Sequence, residues 1–397
     1  MKAYAHKKDG SYLEFNLLGQ GKSGGEGTVY KVGPVQGLTG NFCAKIYHKE
    51  FLSKHSEHYA KLAYMVQHRP SVLSDSSEMI QICYPALLLF DASRNGKFIG
   101  FMMYLALDNS TSLEKITKVV SRQYIEKKKQ MGKLSSLEME IYNKFPRCQR
   151  PSEINILTNR YIIVHNIASL ISYFHQSGHY VIGDIKPENI LMTVKGGISL
   201  VDVDSSQIVE NGKLLYRNEV STPDYCPPEF LSYPRITKSV TYDLFSIAVL
   251  FYEILIGVHP YCCSVPGKQY DIPMLIKYGY FAKGSNKNRV KCTPHHSLFD
   301  YLPKSLQELF IRAFEGKPEQ RPTALEWKHA MRSIITSDLQ QATPLVKSTA
   351  SYPKTTSANP SQSQSPKTKG AYCLHCGKKY YSVLSRFCDK CGKPRQQ

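Results

Sequence analysis

Apolar residues change their spacing part-way along this chain. Through residues 12–106 they come in short runs rich in Val, Ile, Tyr and Phe, with one helix-like stretch over residues 55–67, which predicts a mostly β lobe. After Leu107 the period lengthens. In residues 156–176 the positions Ile162, Ile163, Ile167, Leu170, Ile171 and Phe174 fall on one helical stripe, and residues 242–256 form a second long helical segment, so a mostly α lobe is expected next. The most apolar stretch, residues 244–258, is too short to span a bilayer and is interrupted by Glu253, so it reads as a buried helix and no membrane partner is expected. The segment SYPKTTSANPSQSQSPKTK has almost nothing to bury and reads as a flexible linker. The boundaries that follow are 1–107, 108–335, a linker over 336–370 and a small module over 371–397.

Composition adds two constraints. The net charge of +19 suits acidic partners such as nucleotides, nucleic acid or acidic proteins, but charge alone selects none of them. The opening residues MKAYAHKKDGSYLEF carry positive charge with no apolar run behind them, unlike a secretory leader, so a cytoplasmic location is expected. Of the 11 cysteines, those from Cys43 to Cys292 are scattered, whereas Cys373, Cys376, Cys388 and Cys391 form two pairs. That suits a reducing compartment with one metal site better than a disulfide framework.

The chemistry begins with LLGQGKSGGEGTVYKV. Gly19, Gly21, Gly24, Gly25 and Gly27 precede Val29 between two strand-like runs, and a loop without Cβ atoms can bring backbone N–H groups close to phosphates. By itself such a loop is a weak signal. The Gly21-Lys22-Ser23 tripeptide imitates the end of a P-loop, but Asn16 stands where the first glycine is required, so that reading is rejected. In FCAKIY, Lys45 sits in an apolar strand, a costly position unless the amine meets an anion. The segment HYVIGDIKPENIL then sets Asp184, Lys186 and Asn189 at spacings of two and three, and ISLVDVDSS places Asp202 at the end of an apolar strand. Two acids and an amide so spaced can hold a divalent metal on ATP, orient a hydroxyl and accept its proton, while the lysine neutralises a moving phosphoryl group.

In these motifs, and in their order along residues 12–335, the chain resembles the protein kinase superfamily. The resemblance implies an α+β, two-lobed protein-kinase-like fold, with residues 1–107 as the nucleotide-binding lobe and 108–335 as the lobe of the catalytic loop and activation segment. It implies ATP and Mg²⁺ or Mn²⁺ as cofactors. Lys45 would bind the α and β phosphates, Asp184 would be the catalytic base, Lys186 would sit beside the γ-phosphate, and Asn189 and Asp202 would hold the metal. Glu57 would pair Lys45, with Glu50 and Glu78 as alternatives. TPDYCPPE resembles the end of an activation segment, in which Thr222 is structural and Glu229 pairs Arg321 of KPEQRPT. Asp243 resembles the acid that anchors the catalytic loop. Ser205, Ser206, Tyr216 and Ser221 become candidate autophosphorylation sites.

The departures from the family pattern are specific. Ile182-Gly183 replaces the usual His-Arg before the catalytic Asp, Asp202-Val203-Asp204 replaces Asp-Phe-Gly, and Lys22 stands at the place of the first loop glycine. The nearest resemblance is to bacterial kinase-like proteins with a Gly-Gly-Glu-Gly loop. Some of these are associated with PP2C-type phosphatases and von Willebrand A proteins, which makes those partners expected by resemblance only.

In YCLHCGKKYYSVLSRFCDKCGKPR two CxxC pairs, each followed by glycine, predict a zinc ribbon with structural Zn²⁺ held by Cys373, Cys376, Cys388 and Cys391. The leading expectation is an active kinase acting on Ser or Thr hydroxyls of a protein substrate and of itself. The alternatives are a catalytically silent pseudokinase scaffold and a nucleic-acid- or protein-binding regulator dominated by the basic tail.

Overall fold

In the first strands alternation dictates burial: Ala3 and Ala5 of β1 (Lys2–His6) and Phe15 and Leu17 of β2 (Tyr12–Ser23) face inward while their neighbours face solvent. The computed structural model describes residues 1–7, 11–35, 38, 40–75, 79–117, 122–148 and 150–342. The predicted linker boundary at 336 is corrected, because residues 336–342 continue the helix Ala324–Ala342; the rest of the linker, the four paired cysteines and Glu78 lie outside the described residues.

β1, β2, β3 (Gly27–Val32) and β4 (Phe42–Tyr47) continue through Phe98–Tyr104 and Pro85–Phe90 into a closed barrel, sealed where Tyr4 pairs with Phe90. Its small core includes Phe15, Leu17, Phe42, Leu89 and Met102. Two helices follow β4: α1 (Lys49–Lys54) and α2 (His58–Gln67).

Beyond the barrel the fold is largely helical. Thr158–Gln176 and Val240–Ile256 carry the larger core, and the predicted stripe is buried except for Ile162, which is half-buried. Val240–Ile256 ends at Gly257, whose left-handed φ of 84° lets its N–H close on Glu253 O. An aromatic cluster of Tyr252, Phe299, Phe310, Phe314 and Trp327 fixes the helices around it. No helix among the described residues is long and apolar enough to cross a membrane.

Part of the basic stretch around residues 115–150 joins the core. Ser136–Lys144 starts on a capping box between Ser135 and Glu138, and Ile141, Phe145 and Cys148 are buried. Buried Arg160 ties the stretch down, donating to the carbonyls of Pro146, Phe145 and Ile116, each at 2.9 Å.

One hairpin positions the chemistry. Ile190–Thr193 pairs antiparallel with Ile198–Leu200 in a five-stranded sheet, so the residue before the first strand, Asn189, meets the segment after the second. Val201 N–H donates to Asn189 O at 3.0 Å, which brings Asp202 beside Asn189.

Candidate functional site

A cleft of about 540 Å³ lies between the barrel and the helical part. Gly24, Gly25, Gly27, Val29 and Lys45 line it from the barrel side, and Asp184, Lys186, Asn189 and Asp202 from the other. Val29, Cys43, Met103, Leu105, Leu191 and Val201 give it apolar walls. Gly19 and Gly21 do not line it. They sit upstream in β2, at φ 72° and 70°, where the pairing with β3 shifts register between Leu18 and Lys22, so their role is to bend the strand.

Asp184, Lys186, Asn189 and Thr222 form one network. Asp184 Oδ2 meets Lys186 Nζ at 2.8 Å, and Asp184 Oδ1 accepts from Thr222 Oγ1 at 2.7 Å. Lys186 Nζ also donates to Thr222 Oγ1 at 3.2 Å. Asn189 Nδ2 donates to the backbone oxygen of Asp184 at 2.9 Å and to its Oδ2 at 3.3 Å. Asn189 thus keeps its amide oxygen for another partner, and the Asp202 carboxylate is exposed, with Lys45 Nζ 3.9 Å away. Two hard oxygen donors open to a cleft fit a Mg²⁺ ion that shares its coordination with nucleotide phosphates. Among the described residues no group of three His, Cys, Asp or Glu is gathered to hold a metal. Asp202 itself adopts a left-handed backbone at φ 56°, a local strain of the kind that collects at functional positions.

Lys45 corrects the expected pairing. Its Nζ meets Glu26 Oε2 at 2.7 Å and Asp204 Oδ2 at 2.8 Å, not Glu57. Glu57 is exposed just ahead of α2, and Glu50 is exposed in α1. The buried face of α2 is His58, Lys61, Leu62 and Met65, so the charge that this helix turns inward is a cation. Burial opposes the Lys45 charge, but Asp204, Glu26 and Asp202 hold its pKa above the ordinary lysine value. For Asp204 burial pushes upward, and the Lys45 ammonium with the Tyr47 hydroxyl outweighs it, bringing the carboxyl down to about 2. Burial lowers Lys61 to about 8 and His58 to about 4.

Two buried anchors lie below, one under the Ile182-Gly183 turn and one at Glu229. Asp243, fully buried, accepts the N–H groups of Ile182 and Gly183 at 2.8 Å each, and His175 Nε2 lies 3.0 Å from its Oδ2. Arg321 forks onto Glu229 at 2.6 and 2.8 Å and also donates to Thr241 O. Of the candidate modification sites, Ser206 is fully buried, so phosphate could reach it only if the segment opened.

Sequence reasoning missed Lys238 and Asn218. Gly183, at φ 75°, stands where the family has arginine, and a Cβ there would lie 2.8 Å from the Asn218 amide carbon. Asn218 Nδ2 donates to Ser205 O at 2.8 Å, and its Oδ1 accepts from buried Lys238 Nζ. Lys238 also donates to Gly183 O at 3.0 Å and Val220 O at 2.6 Å. The missing arginine was the signal, because a cation lost from that place leaves carbonyls in need of a donor.

Burial lowers the Lys238 pKa to about 8, against the pull of Cys226, Asp243 and Asp184. Its folded value is then below its unfolded value of 10.5, so between those values the unfolded chain binds more protons and folding gains stability as pH rises. The stability of the protein minus that of a Lys238→Met variant should therefore grow by about 3 kcal/mol from pH 8 to 10.5, read by urea unfolding. A flat difference would remove the lowered pKa.

Residues 139–332 match the protein kinase domain family. The glycine loop and Lys45 lie outside that match. Protein kinase YegI of Escherichia coli strain K12 is 27% identical over 334 residues, covering 81% of this chain and 45% of the relative, so the chain spans less than half of that protein. Serine/threonine-protein kinase 17A of Oryctolagus cuniculus is 34% identical over 146 residues, 36% of this chain and 32% of the relative. The solved ROP18 kinase domain aligns over 86% of each chain with a TM-score of 0.50 and 15% identity, a likeness of fold. Residues 139–332 thus match the protein kinase domain, and in sequence and in the architecture of barrel, cleft and helical part the chain is similar to protein kinases.

Proposed function

We propose that the chain is an ATP-dependent protein kinase that phosphorylates Ser or Thr hydroxyls of a protein substrate and of itself. The observation that carries this reading is the convergence of Lys45, Asp184, Lys186, Asn189 and Asp202 on one cleft under a glycine turn. Asp184, pinned by Thr222, Lys186 and Asn189, would orient the attacking hydroxyl and take its proton. Lys186 would neutralise charge on the transferred group, and Lys45 would hold the α and β phosphates once Glu26 swings aside. Asn189 and Asp202 would hold Mg²⁺, which when bound neutralises the phosphates. The apolar walls suit a purine base.

The test is transfer of labelled γ-phosphate from ATP with Mg²⁺ or Mn²⁺. Label on protein is expected; no label while ATP still binds would favour the silent scaffold.

For the paired cysteines, outside the described residues, we propose a structural Zn²⁺ site. One zinc per chain, lost on chelation together with the fold of the tail, is expected from metal analysis and spectroscopy of the full chain. Protein free of zinc with an unchanged tail spectrum would end that reading. A cytoplasmic location and partnership with a PP2C-type phosphatase and a von Willebrand A protein belong to the same proposal, resting on resemblance. Co-purification of neither partner from cells would remove the partnership.

A further inference from the structure

Lys45 lies on β4 with its side chain almost sealed from solvent, and its two close acids differ in kind. Glu26 belongs to the glycine turn, and its side chain is 33% exposed; Asp204 belongs to the short turn Val203–Ser205, and its side chain is 2% exposed. The same Asp204 oxygen that meets Lys45 accepts the Tyr47 hydroxyl at 2.6 Å, and His58 Nε2 lies 2.7 Å from that hydroxyl. Helix α2 thus touches the lysine's partner through His58 and Tyr47 and presents Lys61, not an acid, on its buried face.

We infer that Asp204 is the positioning carboxylate of Lys45, a role resting here on the activation segment and not on helix α2. This inference rests on the nucleotide-site reading given above. Asp204 is fixed by Lys45 and Tyr47 in a dry place, whereas Glu26 sits where phosphate would arrive and is free to yield. Asp202, the proposed metal ligand, and Asp204 flank Val203 on one turn, so the lysine anchor and the cation ligand move as a single piece. Motion of the Val203–Ser205 turn would disturb both functions together.

The experiment is a double-mutant cycle on the full chain, reading ATP affinity by calorimetry and phosphoryl transfer in parallel. Lys45→Met and Asp204→Asn should each weaken ATP binding and transfer by about tenfold or more, and the double variant should be little worse than either, since both remove one coupled pair. Glu57→Gln should stay within about twofold of the parent, as for a surface residue away from the network. Effects that multiply in the double variant, or a Glu57→Gln loss equal to that of Asp204→Asn, would overturn the inference. Should Asp204→Asn be too unstable to assay, the cycle is read in melting temperature. Adding Lys45→Met then restores stability if the two charges answer each other, and lowers it further if they do not. A non-additive ATP cycle without any phosphoryl transfer would sink the kinase reading and leave the positioning role standing.

Discussion

Asp184→Asn is expected to lower phosphoryl transfer by about 10²–10⁴-fold, the usual contribution of a positioned general base. The side chain keeps its shape, so the argument turns on charge and hydrogen-bond polarity. Asp184 Oδ1 accepts from Thr222, while Oδ2 faces both Lys186 Nζ and Asn189 Nδ2. An asparagine can accept on only one side of this arrangement. If its oxygen faces Lys186 and Asn189, its NH₂ faces Thr222, which can rotate its hydroxyl to accept. That solution preserves the fold and removes the proton acceptor. Transfer should collapse while ATP affinity stays within a few-fold and the melting temperature falls by only a few degrees. Transfer by the variant within tenfold of the parent would remove Asp184 from the role of base.

Much of this site could be read from spacing because its parts are local in the chain. Asp184, Lys186 and Asn189 lie within six residues, and the hairpin Ile190–Thr193 with Ile198–Leu200 carries the chain back so that Asp202 must return beside Asn189. The short apolar runs from residue 12 likewise anticipated a mostly β lobe, and the helical stripe anticipated Thr158–Gln176. What spacing could not give is the set of partners that meet across the fold. Asp204 reaches Lys45 from 159 positions away, and Lys238 reaches Gly183 from 55. Glu57 attracted the assignment because it is an acid near a helix start, but position on the helical wheel decides direction. In HYAKLAYM the positions 58, 61, 62 and 65 form the buried stripe, and Glu57 lies outside it. A lysine on that stripe was already a sign that the acid comes from another element, and the second aspartate of Asp202-Val203-Asp204 was the available one. The glycines misled in a similar way: five in nine residues suggest one phosphate cradle, but Gly19 and Gly21 serve a bend in β2.

Asp243→Ala should cost about 3–5 kcal/mol of stability, measured by urea unfolding, because it strips partners from groups that have no other. The carboxylate is wholly buried at the start of Val240–Ile256, and each of its oxygens takes one N–H of the Ile182-Gly183 pair at 2.8 Å. Without it two buried N–H donors are orphaned, each at about 1–3 kcal/mol, and His175 loses a contact as well. Asp243→Asn should recover less than half of that cost. Its amide oxygen serves one N–H, but its NH₂ is then forced against the other. The loss reaches the chemistry through the backbone, since Gly183 holds a left-handed φ of 75° directly before Asp184, and the two bonds to Asp243 hold the N–H side of that turn while Lys238 and Asn218 hold its carbonyls. Transfer activity should therefore fall in Asp243→Asn even where the protein remains folded, with ATP affinity nearly unchanged, because Lys45 and its partners stand on other elements. A variant that loses stability but keeps full turnover would show that the catalytic turn holds its shape by itself, and would reduce Asp243 to a packing residue.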